Sequence, residues 1–192
     1  MPKFIRAIAS FFVDIFETLM IALVIFLVVY ALILEPHQVN GQSMEPNFQS
    51  GDYVLTDKVS YKIGEPKRGD VVVFQAPPAA NCPTGTGCEF IKRIIGLPHE
   101  TVEIINNQYV INSVPLVEDY LPTSINTDAG QYLGSGAITL GADEYFVSGD
   151  NRPYSSDSRS WGPITKSMIE GRSFFRYWPS TSVGVIKPVE YN

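Results

Sequence analysis

Ser43 is the first residue of this sequence whose surroundings suit a chemical role. It lies in the segment NGQSMEP, positions 40–46. Gly41 allows close backbone approach and Pro46 fixes a turn, so the hydroxyl and backbone N–H of Ser43 would face a bound carbonyl group. That arrangement suits a nucleophile. The alternative, which the local sequence leaves open, is a turn serine that caps its own backbone.

Lys92 is the second such residue. In the segment FIKRII, positions 90–95, β-strand alternation places it on the same face as Phe90 and Ile94. A lysine of ordinary pKa is neutral in only about one molecule in 2,500 at pH 7, whereas burial that lowers the pKa to about 8 costs roughly 3 kcal/mol. A buried Lys92 would suit a general base. An edge-strand lysine would instead extend its ammonium group into water.

A third segment, SGDNRPYSSDSR at positions 148–159, is dense in hydroxyl, acidic and guanidinium groups. It follows an apolar run and precedes Trp161-Gly162-Pro163-Ile164, which predicts packing against the domain. The alternative is a solvated loop.

The sequence offers little for other kinds of chemistry. It has no GxSxG, SxxK or HExxH motif and no phosphate-binding loop. His37 and His99 are expected to be surface residues, and with Cys82 and Cys88 they are too few and too scattered for a closed zinc site. We therefore expect neither a metal nor another cofactor.

Length and charge limit the remaining classes. The 192 residues have room for one compact domain and a short appendage, and a hydrophobic content of 45% excludes a disordered chain. A net charge of −6 at pH 7 leaves no basic surplus to neutralise phosphates, which argues against a nucleic-acid partner.

An apolar segment near the N-terminus predicts a membrane anchor. Residues 19–34 carry no charge, and the preceding segment FFVDIFET extends them toward the length that a bilayer requires. A cleaved secretory signal is the alternative, but no small-residue cleavage site follows. Lys3 and Arg6 precede the span, so the N-terminus is expected in the cytoplasm. Residues 1–35 are thus predicted to be the cytoplasmic N-terminus and anchor, in a plasma or inner membrane, and residues 36–192 an exported domain.

The exported part is predicted to be mostly β, an antiparallel sheet or barrel-like domain with turn-rich insertions. Short apolar or alternating runs predict strands at 53–59, 70–76, 90–96, 101–105, 108–111, 144–148 and 173–178. Residues 165–170 predict a short helix, and residues 119–142 an inserted loop or loose hairpin outside the core. Cys82 and Cys88 bracket a turn and could form a disulfide in an oxidising compartment, or remain two free thiols.

Taken together, the segments resemble the type I signal peptidases, membrane-anchored serine proteases that remove signal peptides from exported proteins. The resemblance comprises five ordered blocks: SMEP at 43–46, Gly51-Asp52, RGDVVVF at 68–74, KRIIGLP at 92–98, and GDNRxxSxDSRxWGPI at 149–164. It favours the chemical interpretations of these segments over the alternatives.

The resemblance implies a role for each matching residue. Ser43 is expected to be the nucleophile and Lys92, neutral at rest, the general base. Ser155 is expected to orient Lys92 by a hydrogen bond, and the Ser43 backbone N–H to form one arm of the oxyanion hole. The expected structural ion-pair set is Asp150, Arg93, Asp157 and Arg159. Met44, next to the nucleophile, is a candidate substrate contact.

The implied partners are preprotein signal peptides and the lipid bilayer. The family's preference for small residues at the first and third positions before the cut implies shallow pockets beside an edge strand that binds the substrate. The sequence departs from part of the family at Gly41, where some members carry a serine that donates to the oxyanion. His99-Glu100 and Pro153 also differ from the residues that the family often has at these positions. Two alternatives are disfavoured. A self-cleaving repressor-type protease would need a basic DNA-binding domain, whereas a predicted membrane anchor occupies that end of this chain. An inactive binding module would not need the side chains expected to be catalytic.

Overall fold

One long N-terminal helix and a body of two antiparallel sheets make up the protein. The computed structural model describes residues 3–80, 88–134, 136–189 and 191. Helix α1 (Lys3–Leu32) has 30 residues. Among the described residues it is the one helix whose length and composition would allow it to cross a membrane, over Ile8–Tyr30, and the rest of the chain does not cover that stretch.

The body is made mostly of short strands. The strands are β1 (Leu34–Gln38), β2 (Tyr53–Asp57), β3 (Val71–Gln75), β4 (Glu89–Gly96), β5 (Thr101–Ile105), β6 (Gln108–Ile111), β7 (Val114–Pro115), β8 (Ile138–Thr139), β9 (Glu144–Ser148), β10 (Ile164–Thr165), β11 (Ile169–Trp178) and β12 (Gly184–Val185). The short helices are α2 (Ser60–Ile63), α3 (Gly130–Leu133) and α4 (Ser158–Trp161).

The larger sheet has the order β1-β2-β11-β3-β4-β9-β10, with β12 also paired to β11, and the smaller sheet has the order β7-β6-β5-β8. All pairs are antiparallel. In the described part of the chain β1 and β10, the end strands of the larger sheet, do not pair with each other. The barrel-like part of the prediction is therefore wrong: the sheets stay open, because no ladder joins these two edges.

The hydrophobic core explains why these sequences form strands. β3 lies between β11 and β4 with both faces covered, so its side chains from Val71 to Phe74 are all buried. The smaller sheet packs its apolar face, including Val102 and Tyr109, against Ile95 and Phe146 of the larger sheet. This contact joins the two sheets into one body.

Each of the seven predicted strands is present, with its bounds shifted by a few residues at most. The predicted helix at 165–170 is wrong. Residues Lys166–Met168 form a single 3₁₀ turn and Ile169 already pairs with Phe74, because sheet pairing outweighs the weak local helix signal. The expectation that 119–142 lies outside the core is wrong for two side chains, since Leu133 and Leu140 are buried in the core.

The cysteine prediction concerns the segment between β3 and β4. Cys88 is in the disulfide-bonded form. Cys82 lies outside the described residues, so its pairing with Cys88 stays a prediction.

Candidate active site

Ser43 sits in the turn that joins β1 to β2. Backbone hydrogen bonds from Val39 to Asp52 and from Gly51 to Val39 close the base of this loop. Gly41 has a φ of 89°, in the left-handed region that glycine adopts without strain. Phe48 N–H donates to Met44 O at 2.9 Å, which winds the residues after Ser43 into a compact turn.

Asn151 holds this turn against the loop that follows β9. Its backbone N–H donates to Ser43 O at 3.0 Å, and its side-chain amide donates to Gln42 O, also at 3.0 Å. Asn151 was not predicted from the sequence to have a role. Its position inside the GDNR block was the available signal.

Lys92 extends from β4 to meet the turn. Its Nζ lies 2.7 Å from Ser43 Oγ and donates to Ile91 O at 3.0 Å. The Phe90 ring lies 5.2 Å from the same Nζ. Lys92 is 4% exposed, so the amine is almost fully removed from water.

Burial changes the acidity of this amine. It lowers the pKa of Lys92 to about 8, against the opposing charges of Asp157 and Asp150. At that pKa about one molecule in ten carries a neutral amine at pH 7, compared with about one in 2,500 for an ordinary lysine. The pair can therefore transfer a proton from the Ser43 hydroxyl to Lys92 near neutral pH.

A groove of about 600 Å³ opens in front of this pair. Residues 36–43 and 89–92 line it, with Tyr154 and Ser156 also in its wall. β4 pairs with β3 from Glu89 onward, but β9 joins its other edge only at Arg93. Among the described residues no strand pairs with this second edge of β4 at 89–92, which lies beside the groove and where an extended peptide can pair.

Two buried ion pairs support the site from behind. Arg93 and Asp150 form a bidentate pair, with Nε–Oδ1 and Nη2–Oδ2 distances of 2.8 and 2.7 Å. Asp157 accepts from Arg159 in the same way, at 2.8 Å for both contacts. Burial acts to raise the pKa of Asp157, but its hydrogen bonds and ion pair with Arg159 dominate and lower it. The sequence predicted these four residues as an ion-pair set, and the structure supplies their pairing.

A third buried pair was not predicted. Arg152 donates from Nη1 to Glu118 Oε2 at 2.9 Å and to Thr127 Oγ1 at 2.8 Å. Its guanidinium group also lies 4.8 Å from the Tyr109 ring. Glu118 stands next to the segment interpreted as a loop, and nothing in the local sequence marks it as a partner of Arg152.

Ser155 lies near the pair and makes no hydrogen bond to Lys92. Its Oγ is buried and helps to lower the pKa of Asp157. A Cβ atom added to Gly149 would lie 2.3 Å from both Ser155 Oγ and Ser43 O, so this glycine leaves the space that both groups occupy. The structure thus places Ser155 beside the turn of Ser43 but does not contain the expected hydrogen bond to Lys92.

Met44 lies in the core and not in the groove. It is 0% exposed and packs with Val39, Phe48, Val54 and Val71. It is not among the residues that line the groove. The structure therefore gives Met44 a role in anchoring the turn, and its candidacy as a substrate contact gains no support.

The backbone N–H of Ser43 forms no hydrogen bond with the described residues. A backbone donor left unpaired beside a reactive hydroxyl is suited to an oxyanion.

Residues 12–178 match the protein family described as "Signal peptidase, peptidase S26". The chain belongs to this family. The match covers every block from the turn of Ser43 to α4. Membership makes the chain a peptidase of the signal peptidase class.

Relatives in this family come from several bacteria. Signal peptidase I of Leptolyngbya laminosa is 33% identical over 173 residues, which is 90% of this chain and 82% of the relative. Signal peptidase IB of Staphylococcus aureus strain COL is 33% identical over 83% of this chain and 85% of the relative. A crystal structure of a signal peptidase I from Enterococcus faecalis V583 shares 34% identity, covers 57% of this chain and 97% of that one, and has a TM-score of 0.44. The apolar helix α1 and these relatives fit a membrane-anchored enzyme.

Proposed function

We propose that this protein is a membrane-anchored serine endopeptidase that cleaves N-terminal signal peptides from exported preproteins, with Ser43 as nucleophile and Lys92 as general base. The observation that carries the proposal is the 2.7 Å contact between Lys92 Nζ and Ser43 Oγ in a site where burial lowers the pKa of the lysine to about 8. Proximity and a matched pKa are the two requirements for a base that activates a hydroxyl group.

The reaction proceeds in two halves. Neutral Lys92 accepts the proton of Ser43 as Oγ attacks the scissile carbonyl carbon, and the oxyanion that forms faces the Ser43 N–H. Protonated Lys92 then donates that proton to the leaving amine, and the C–N bond breaks to leave an acyl-enzyme. A water molecule, deprotonated by Lys92, attacks the ester, and the proton returns to Ser43 as the peptide is released.

The groove and the anchor together select the substrate. The free edge of β4 at 89–92 would bind the residues before the cut as an added strand, which limits the site to extended peptides. β1 begins at Leu34, two residues after α1 ends at Leu32, and Ser43 follows five residues after β1 ends at Gln38. The reacting hydroxyl is thereby kept close to the bilayer surface, where a signal peptide emerges from its membrane-spanning helix.

The orientation follows from the charges that flank the anchor. Lys3 and Arg6 precede the apolar stretch, so the N-terminus lies in the cytoplasm and the catalytic body on the outer side of the plasma or inner membrane.

The test is cleavage of a preprotein by the detergent-solubilised full chain, with sequencing of the new N-terminus. We expect one cut at the signal-peptide boundary, and none with Ser43→Ala or Lys92→Arg, because a guanidinium group does not give up its proton. An inactive binding module would leave the preprotein intact with every variant. Cleavage by Ser43→Ala would refute the assignment.

A further inference from the structure

A cluster of one imidazole and three carboxylates lies at the groove, and two of its members, His37 and Glu89, line it. It comprises His37, Glu35, Glu89 and Glu170, and we call it the His37 cluster. His37 Nε2 is 3.3 Å from Glu89 Oε2 and 3.7 Å from Glu170 Oε2. Three of the residues, Glu35, His37 and Glu170, each offer one ligand atom, and these three atoms lie within 4.8 Å of one another. The proposed reaction does not use these four side chains.

The distances within the cluster suit a tetrahedral metal ion. Nitrogen and oxygen ligands lie about 2.0–2.2 Å from zinc, so two of them at a tetrahedral angle are separated by about 3.4 Å. The contacts of His37 with Glu89 and Glu170 bracket that separation.

The ring of His37 is held in place through its second nitrogen. Nδ1 lies 3.1 Å from Thr56 Oγ1, which in turn lies 3.3 Å from the buried Ser173 Oγ. When Nδ1–H donates to Thr56, the lone pair of Nε2 faces the carboxylates. A metal ion would bind at that lone pair, and a fixed second ring nitrogen is typical of metal-binding histidines.

The charges of the cluster also favour a cation. Glu35 pairs with Lys58 at 3.0 Å. Among the described residues neither Glu89 nor Glu170 pairs with a lysine or arginine. The side chain of His37 is 12% exposed and that of Glu170 is 23% exposed, so the site is partly desolvated yet open to an ion. The excess negative charge would attract a divalent cation.

We propose that the His37 cluster binds a divalent transition-metal ion of the Zn²⁺ class and that the bound ion obstructs the groove. His37 and Glu89 both line the groove that also contains Lys92, and their side chains already touch at 3.3 Å. An ion bound by both would fix this contact between residues 36–38 and the start of β4 and would occupy part of the space that an extended peptide must enter. The ion acts as an inhibitor and takes no part in the reaction. The obstruction rests on the proposed function, whereas the binding does not.

The binding test uses the full-length protein in detergent, without an affinity tag, after removal of metal by a chelator. Equilibrium dialysis against Zn²⁺ is expected to give one zinc per chain for the wild type. His37→Asn and Glu170→Gln are each expected to weaken binding at least tenfold. His99→Asn is the matched control: His99 is exposed, and asparagine tolerates its φ of 67°. It should bind zinc as the wild type does.

Cleavage provides the second measurement. Added Zn²⁺ should inhibit preprotein cleavage by the wild type and His99→Asn, a chelator should restore it, and His37→Asn should resist inhibition relative to its own metal-free rate. Equal zinc binding by the wild type, His37→Asn and Glu170→Gln would refute the proposal that the His37 cluster binds the ion. Binding of one zinc per chain without inhibition of cleavage would overturn the proposal that the ion obstructs the groove. If the metal-free wild type cleaves no preprotein, the proposed function is contradicted. The dialysis result would still decide whether the cluster binds zinc.

Discussion

The backbone N–H of Asn151 donates a 3.0 Å hydrogen bond to the carbonyl oxygen of Ser43, and its side chain donates another to Gln42. The loop after β9 therefore holds the turn that carries the nucleophile. The hydroxyl of Ser43 is aimed at Lys92 by contacts that lie more than 100 residues away along the chain.

Asn151→Ala removes the side-chain hydrogen bond and keeps the backbone one. Loss of one such bond costs about 1 kcal/mol, so we expect kcat/KM for a signal-peptide substrate to fall about fivefold. Asn126→Ala is the control, because Asn126 is exposed and makes no described side-chain hydrogen bond. Equal activity of the two variants would show that Asn151 does not position Ser43.

Gly149→Ala tests the space between Ser43 and Ser155. The new Cβ would lie 2.3 Å from both Ser43 O and Ser155 Oγ, so the turn of Ser43 must shift. We expect activity to fall by more than tenfold in a peptide-cleavage assay. Gly184→Ala, where nothing lies within 4 Å of the added atom, should retain wild-type activity. An active Gly149→Ala enzyme would contradict the packing described here.

Arg93→Met tests the buried ion pair with Asp150. Removal of the guanidinium group leaves a carboxylate that is 0% exposed without its charge partner, which is expected to lower the free energy of unfolding by about 3–5 kcal/mol. Lys166→Met breaks the exposed pair with Glu65 and should change the free energy of unfolding by less than about 1 kcal/mol. Urea denaturation followed by tryptophan fluorescence in detergent measures both. Similar losses in the two variants would argue against a special role for the buried pair.

Lys92→Met is expected to abolish activity and stabilise the fold at pH 7. Burial lowers the folded pKa of Lys92 from 10.5 to about 8, so the unfolded chain binds more protons between these values. The wild type is penalised by up to about 3 kcal/mol below pH 8, and the penalty disappears as the pH rises through 10.5. The stability difference between variant and wild type should therefore shrink from pH 8 to pH 10.5. A difference that does not change with pH would mean that Lys92 is not desolvated.

The sequence was most informative about residues whose chemical type and local sequence pattern point to the same role. Strand alternation placed Lys92 on a buried face, and Gly41 and Pro46 marked the turn of Ser43. The fold class followed from short apolar runs between turns. These signals are local, so a single sequence carries them.

Features that depend on distant contacts were missed. β1 contains Pro36 and acquires its strand structure by pairing with β2, while the helix expected at 165–170 gave way to pairing of β11 with β3. The Arg152–Glu118 pair joins residues 34 positions apart, and Asn151 reaches back 109 positions to Gln42. Such partners are chosen by the packed sheet and leave no local pattern.

The pH dependence of kcat/KM for the wild-type enzyme, measured from pH 6 to 10 with a peptide that has no titratable group near the cut, tests the account most directly. We expect activity to rise through a single ionisation with an apparent pKa near 8, the value that burial gives Lys92, and then to reach a plateau as the amine becomes neutral. A rate that does not change across this range, or one that follows the ordinary lysine pKa near 10.4, would contradict a desolvated Lys92 as the general base.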